Sequence, residues 1–199
     1  MGSYITIGFV YAKCNLERLE NEFKNLSNYL IKKINKVKSI KACKDTDGEE
    51  WIEYNQFKNQ QIGDLCDILT KNYYGQIVFE SNILGIGDLE VSIRIEKEED
   101  YFGYLLDISE IKLLKTRGIE ELNSITERII TFIITLNKII EFDYAFCDSE
   151  AEIQYSPSEV NDLRNNVHSI VVIPAFVEKE KKHEVIKSSW HIDGLTNRY

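Results

Sequence analysis

The stretch Asp88-Leu89-Glu90-Val91-Ser92-Ile93-Arg94-Ile95-Glu96 alternates apolar and polar residues. This period of two is typical of a strand with one face on a core and the other toward water. The next apolar stretch, Tyr101–Ile108, follows after the turn Glu98-Glu99-Asp100. Because so short a connection cannot hold a helical crossover, we expect an antiparallel hairpin. The hairpin predicts a sheet that is largely antiparallel.

Further strands are predicted on both sides of this hairpin. They are rich in β-branched and aromatic residues and are bounded by turn residues. They cover Tyr4–Tyr11, 39–44, 51–57, Gln76–Glu80, Phe142–Cys147, Ser169–Val177 and Glu184–Ile192. Pro174 fits an edge position or a bulge. The lysine-rich stretch Glu178–Lys182 is predicted to be a turn.

Two long helices and one shorter helix are predicted from apolar residues that recur every three or four positions, and a second short helix from the capping residues that begin at Ser156. They run from the N-cap Asn15 to about Val37, and over Ile119–Ile140, Gln60–Tyr73 and Ser156–Asn165. Ser156 and Glu159 have the spacing of a capping box. The sequence therefore predicts an α+β fold, in which a mostly antiparallel twisted sheet is packed by two long helices and shorter helices. Residues 1–199 are expected to form a single domain.

Composition restricts the class of protein. The chain has 199 residues, of which 43% are hydrophobic and 29% charged, as in ordinary globular proteins. Its longest nearly apolar run, Ile129–Ile140, is too short to span a bilayer. No secretory signal is visible, and the four cysteines form no C-x-x-C pair. We expect a cytoplasmic protein with reduced thiols and neither a membrane partner nor a cofactor.

The negative charge is unevenly distributed. The formal net charge is -9, although residues 1–44 carry nine Lys or Arg against three Glu. The stretch Glu141–Asp162, called the acidic segment below, has seven carboxylates and no Lys or Arg. Such a surface repels nucleic acid, whose binding requires cations. It is suited to a basic protein partner.

Aromatic residues are interleaved with these carboxylates. Aromatic side chains can provide buried contact in an interface, while complementary charge accelerates encounter. We therefore predict a partner-binding surface formed by Asp143, Tyr144, Asp148, Glu150, Glu152, Tyr155 and Glu159.

Catalytic motifs give little support for an enzyme. The strongest alternative is a metal-dependent nucleic-acid hydrolase in which Asp100 and Glu110 hold the ion and Lys112 assists the attacking water. Another alternative is a binding or scaffold module. Structural roles are favoured for Cys147 with His168 or His191, for the pair His191 and Asp193, and for Trp51 and Trp190.

Three stretches also resemble a known family. They are Ser3-Tyr4-Ile5-Thr6-Ile7-Gly8-Phe9-Val10, Tyr74-Gly75-Gln76-Ile77-Val78-Phe79-Glu80 and Glu141-Phe142-Asp143-Tyr144-Ala145-Phe146-Cys147-Asp148-Ser149-Glu150-Ala151-Glu152. They are similar to the immunity proteins of bacterial polymorphic toxin systems, and specifically to the immunity protein 64 family. The resemblance implies a non-enzymatic, cytoplasmic α+β protein that binds and blocks a cognate toxin, often a nuclease. It assigns no inhibitory residues.

Overall fold

The computed structural model describes residues 3–12, 16–31, 34–54, 62–159, 162–164, 166–177 and 180–199. Its strands are β1 (Tyr4–Ala12), β2 (Ile34–Cys43), β3 (Trp51–Tyr54), β4 (Tyr74–Ser81), β5 (Leu89–Lys97), β6 (Tyr101–Ser109), β7 (Tyr144–Ser149), β8 (Ile170–Val177) and β9 (Glu180–Lys187). Its helices are α1 (Leu16–Ile31), α2 (Ile62–Lys71), α3 (Glu110–Leu113) and α4 (Ile119–Leu136). The predicted α+β class is confirmed.

The strands of the described residues form one sheet in the order β3-β2-β4-β5-β6-β1-β7-β8-β9. Every neighbouring pair is antiparallel. The predicted hairpin is β5 and β6, paired from Val91 with Ile108 to Lys97 with Phe102. Strand β1 lies inside the sheet, between β6 and β7. Strands β3 and β9 form the two edges of the sheet.

Helices α1 and α4 pack on one face of the sheet and build the main core there. On β1, Ile5, Ile7, Phe9 and Tyr11 alternate along the strand and are fully buried in this core. The helices supply apolar residues at helical spacing: Leu19, Phe23, Leu26 and Leu30 from α1, and Leu122, Ile129, Ile133 and Leu136 from α4. Removal of this apolar surface from water is the main force that holds helices and sheet together.

A second, smaller core lies on the opposite face of the sheet. It contains Val10 of β1, Leu105 of β6, Phe146 of β7 and Val171 of β8, all fully buried. Ala151 of the acidic segment belongs to it, and the partly buried Ile153 and Tyr155 pack against it. The acidic segment therefore covers part of the sheet face that the long helices leave open.

The structure corrects the end of the first helix. Helix α1 ends at Ile31, and Ile34 and Val37 belong to β2 rather than to the predicted helix. The two residues are three positions apart, which fits a helix, but register shifts between Ile34 and Lys36 and between Val37 and Ser39 change the phase of the strand. Strand 39–44 is thus the second half of a longer strand.

The C-terminal third of the chain also differs from the prediction. In place of a helix from Ser156 to Asn165, the structure has two 3-10 turns, Pro157–Glu159 and Asp162–Arg164, while Asn165 lies outside the described residues. Part of the capping box does form, because Glu159 accepts hydrogen bonds from the Ser156 backbone N–H (3.0 Å) and hydroxyl (2.8 Å).

The predicted turn and last strand are displaced along the chain. Strand β9 begins at Glu180, inside the predicted turn, and ends at Lys187, before Ile192. It pairs with β8 from Val177 to Ile170, which fixes its position. Pro174 lies opposite His183 of β9, beyond the three-residue ladder that joins β8 to β7. No β7 residue pairs with it, which is the local edge that a proline requires.

We predict that Gly8→Ala destabilises the protein by about 2 kcal/mol, the usual cost of overpacking. Gly8 lies opposite Phe146 on β7, and a Cβ at Gly8 would be 2.2 Å from the Phe146 ring. Urea unfolding measures the change. Gly87→Ala is the matched control, because a Cβ there meets no atom within 4 Å. Equal stability of the two variants would contradict the close packing of Gly8 on Phe146.

Candidate functional site

The seven residues of the predicted partner-binding surface occupy two different environments. Asp143, Glu150, Glu152 and Glu159 are exposed, and Tyr155 is half-buried. Tyr144 and Asp148 are buried within the protein. The first five can meet a partner, whereas the last two can only support the surface from below.

Asp148 is a structural carboxylate. Its oxygens accept hydrogen bonds from the backbone N–H groups of Ser149 and Ser169, both at 2.8 Å, and from Trp190 Nε1 at 3.0 Å. Burial raises the pKa of the Asp148 carboxyl, although these bonds oppose the shift. Asp148 joins β7 to the C-terminal residues. Trp190 is half-buried, and its side chain is held by this hydrogen bond.

Tyr144 fixes the path of the acidic segment. Its side chain is fully buried, and its hydroxyl donates a hydrogen bond to the backbone carbonyl of Tyr155. Burial raises the pKa of the Tyr144 hydroxyl above its usual value. The bond ties the far end of the segment to the start of β7.

A charged cluster on β5 and β6 holds the middle of the segment. Arg94 Nε is 2.9 Å from Asp107 Oδ2, and Arg94 also pairs with Glu96. Arg94 donates to the Ala151 carbonyl at 3.4 Å, and Glu96 accepts the Ile153 N–H at 3.1 Å. The segment is therefore positioned by its backbone, and its exposed carboxylates need not be used to hold it.

Glu150 and Glu152 are the exposed carboxylates least committed to the fold. In the part of the chain that the structure describes, no hydrogen bond or ion pair joins either carboxylate to another side chain. Glu150 has a left-handed backbone (φ 47°), and its N–H donates to the Tyr4 carbonyl at 2.9 Å. The two side chains line a small surface cavity of about 240 Å³, together with His168. This edge of the segment can accept a cationic side chain.

The other two exposed carboxylates of the predicted surface have local partners. Asp143 accepts the backbone N–H of Ala12 at 2.8 Å, and Glu159 caps Ser156. The hydrogen bonds from Ser156 lower the pKa of the Glu159 carboxyl below its usual value. Both remain exposed, but Asp143 and Glu150 lie at opposite ends of β7.

The residues of the alternative hydrolase site are not brought together, so that prediction is wrong. Asp100 and Glu110 lie at opposite ends of β6, and a nine-residue strand separates them by about 30 Å. Glu110 is buried and pairs with Arg117 at 2.9 Å. Lys112 is instead 3.9 Å from Glu90. Among the described residues, no group of three or more His, Cys, Asp or Glu side chains could hold a metal ion.

The thiol candidate is also not assembled. Cys147 is fully buried in the core on the helix side of the sheet, and burial raises the pKa of its thiol. His168 stacks on Phe146, which faces the other side, with ring centroids 4.1 Å apart. Asp193, the proposed partner of His191, accepts hydrogen bonds from Leu195 and Thr196 and so shapes a turn.

Comparison with known proteins identifies the family. The family model described as Immunity protein 64 matches residues 1–198. The chain belongs to the immunity protein 64 family. The predicted resemblance is confirmed.

Comparisons with curated proteins and with solved structures are less informative. No curated protein matches this immunity protein. A solved structure, the Pseudomonas aeruginosa T6SS protein PA0821, is similar with 9% sequence identity and a TM-score of 0.42, over 99% of this chain and 73% of that chain. In the described ranges, no helix is long and apolar enough to cross a membrane.

Sequence reasoning missed a second acidic surface of the immunity protein, at the turn between β2 and β3. The stretch 45–53 holds five carboxylates and no Lys or Arg. Trp51 follows this turn and is 50% exposed, although a sheet-packing role was expected. The available signal in the sequence is the density of carboxylates beside a tryptophan.

We predict that His168 makes the stability of the immunity protein depend on pH. Burial lowers the pKa of its imidazole to about 4, against about 6.5 in an unfolded chain. Below pH 6.5 the His168 imidazole is protonated in the unfolded chain but stays neutral in the folded protein. The free energy of unfolding therefore decreases as the pH is lowered from 6.5, and this loss is complete near pH 4. The loss amounts to about 3 kcal/mol.

His168→Phe keeps the stacking on Phe146 but cannot titrate. Urea unfolding at pH 4, 5, 6 and 7 should therefore show a smaller loss of stability in this variant than in the wild type. Identical pH profiles would exclude His168 as the source.

Proposed function

We propose that this immunity protein binds a basic toxin, a nuclease, and occludes its substrate cleft with the acidic segment. The observation that carries the proposal is the group of exposed carboxylates on a segment that has no Lys or Arg and is fixed to the sheet by backbone hydrogen bonds. Membership in an immunity protein family supports the toxin partner. We place this action in the cytoplasm.

The physical basis is charge substitution. A nuclease binds its substrate by neutralising phosphates with Lys and Arg. Glu150 and Glu152 present uncompensated carboxylates that can take the place of phosphates in such a cleft. Arg94, Glu96 and Tyr144 hold the backbone beneath them, so little conformational entropy is lost on binding. Complementary charges between the two proteins also accelerate their association.

Occlusion requires no covalent step by the immunity protein. The family supports a non-enzymatic role, and the separated Asp100 and Glu110 remove the specific catalytic alternative. The same negative surface disfavours nucleic acid as a partner. A binding module unrelated to toxins would use similar contacts. The experiment must therefore use a toxin domain as the partner to distinguish this function from toxin inhibition.

The test is the double variant Glu150→Lys and Glu152→Lys, assayed against the cognate toxin domain. We expect association to slow by about tenfold or more at low salt, because attraction becomes repulsion. The dependence of the association rate on salt should also weaken. Surface plasmon resonance measures both, and co-expression measures protection of cells from the toxin. Asp148 is left unchanged, since a lysine there would disrupt the fold.

The matched control is Glu20→Lys with Glu120→Lys. It makes the same change in net charge at exposed positions of α1 and α4, on the opposite face of the sheet. The control should bind like the wild type. Equal losses in both variants would show that net charge alone matters, and full binding by the Glu150 and Glu152 variant would remove the acidic segment from the interface.

A further inference from the structure

A second surface lies at the β3 edge of the sheet, on the turn between β2 and β3. Asp45 closes this turn by accepting the backbone N–H groups of Glu50 at 2.8 Å and Glu49 at 3.1 Å. These two bonds lower the pKa of the Asp45 carboxyl to about 2. Trp51 Nε1 donates to the Gly48 carbonyl at 2.9 Å. The turn is therefore held in one conformation by its own side chains.

Exposed aromatic side chains surround this turn. Trp51 is 50% exposed and Tyr73 is 63% exposed, and the Trp51 ring meets Tyr74 edge-on with centroids 5.8 Å apart. The three aromatic residues line a surface cavity of about 520 Å³, together with Lys41 and Gln76. Large exposed aromatic groups beside a concavity are typical of protein interfaces.

The turn beside the cavity carries more negative than positive charge, although the exposed Lys44 precedes it in the chain. Lys41 forms an ion pair with Glu53 at 2.8 Å and is thereby neutralised. Asp47, Glu49 and Glu50 are exposed, and no ion pair joins them to a cation among the described residues. The surface thus combines apolar anchors with uncompensated carboxylates. In the acidic segment, by contrast, Tyr144 is buried and gives no anchor.

The two acidic surfaces lie on the same side of the sheet. Lys41 is opposite Gln76, and Gln76 is opposite Arg94, so their side chains share a face with Arg94 and the Ile153 backbone. Strand β3 is four places from β6, over which Ile153 packs on Gly103. Four strand spacings amount to about 19 Å. An interface of ordinary size, about 800 Å² on each partner, can cover the β3 edge and Ile153. Glu150 lies farther away, beside Tyr4 at the start of β1.

We propose that the β2–β3 turn, with Trp51 and Tyr73 as anchors, is a second contact surface for the same basic protein partner. This inference rests on the proposed function and adds the apolar part of the interface. Lysine and arginine side chains of the partner meet Asp47, Glu49 and Glu50, and their aliphatic stems or neighbouring apolar groups pack on Trp51 and Tyr73. Buried aromatic anchors of this kind carry much of the binding energy.

The test compares the dissociation rates of complexes with the cognate toxin domain. Trp51→Ala with Tyr73→Ala should increase the dissociation rate at least tenfold, because apolar anchors act mainly on dissociation. Tyr73→Ala alone, at a site 63% exposed, should give a smaller increase and guards against a folding defect. Ile111→Ala with Leu195→Ala is the matched control, since these residues are 68% and 80% exposed and lie elsewhere. The control should leave the rate unchanged.

The outcomes separate this inference from the proposed function. If the aromatic variants dissociate like the control while the Glu150 and Glu152 variant binds poorly, the second surface is refuted and the proposed function stands. If the wild-type protein does not bind the toxin domain at all, the proposed function fails, and this inference fails with it. Slower association of Glu49→Lys with Glu50→Lys, at an unchanged melting temperature, would support the charged part of the surface.

Discussion

The structure depends on the burial of β1 on both faces and its pairing along both edges. Its odd-numbered residues from Ile5 to Tyr11 pack under α1 and α4, and Val10 packs under the acidic segment. Strands β6 and β7 pair with it on either side. A strand in this position cannot shift by one residue, because the shift would exchange the two sets of side chains. The register of β6 and β7, and hence the starting point of the acidic segment, follows from β1.

The charged cluster of Arg94, Glu96 and Asp107 connects this scaffold to the surface. Asp107 accepts a hydrogen bond from Thr6 on β1 at 2.8 Å, and Arg94 and Glu96 reach the backbone at Ala151 and Ile153. A half-buried charged group is expensive unless it is paired and hydrogen-bonded. Here the pairing is used to hold a segment whose own carboxylates face outward. The charged cluster therefore fixes the shape of the acidic segment, while the carboxylates of the segment supply its surface charge.

Sequence periodicity identified the elements with strong local signals and failed where the signal comes from distant residues. The β5–β6 hairpin and the body of α4 follow from their alternation and helical spacing. The end of α1 was misplaced because Ile34 and Val37 suit either a helix or a bulged strand. Asp148 was placed on the surface because its partners Ser169 and Trp190 are 21 and 42 positions away. No local sequence pattern shows that a carboxylate in an acidic stretch will accept hydrogen bonds from donors that are distant in the sequence.

The edge strand β9 affects how the protein behaves when it is abundant. Strand β9 carries the charged residues Lys182 and Glu184 and forms one edge of the sheet, while β3 forms the other. Charged side chains on an outer strand discourage the addition of a strand from another molecule. Self-association through that side is thereby opposed, and copies made in excess over their target would stay dispersed and ready to bind.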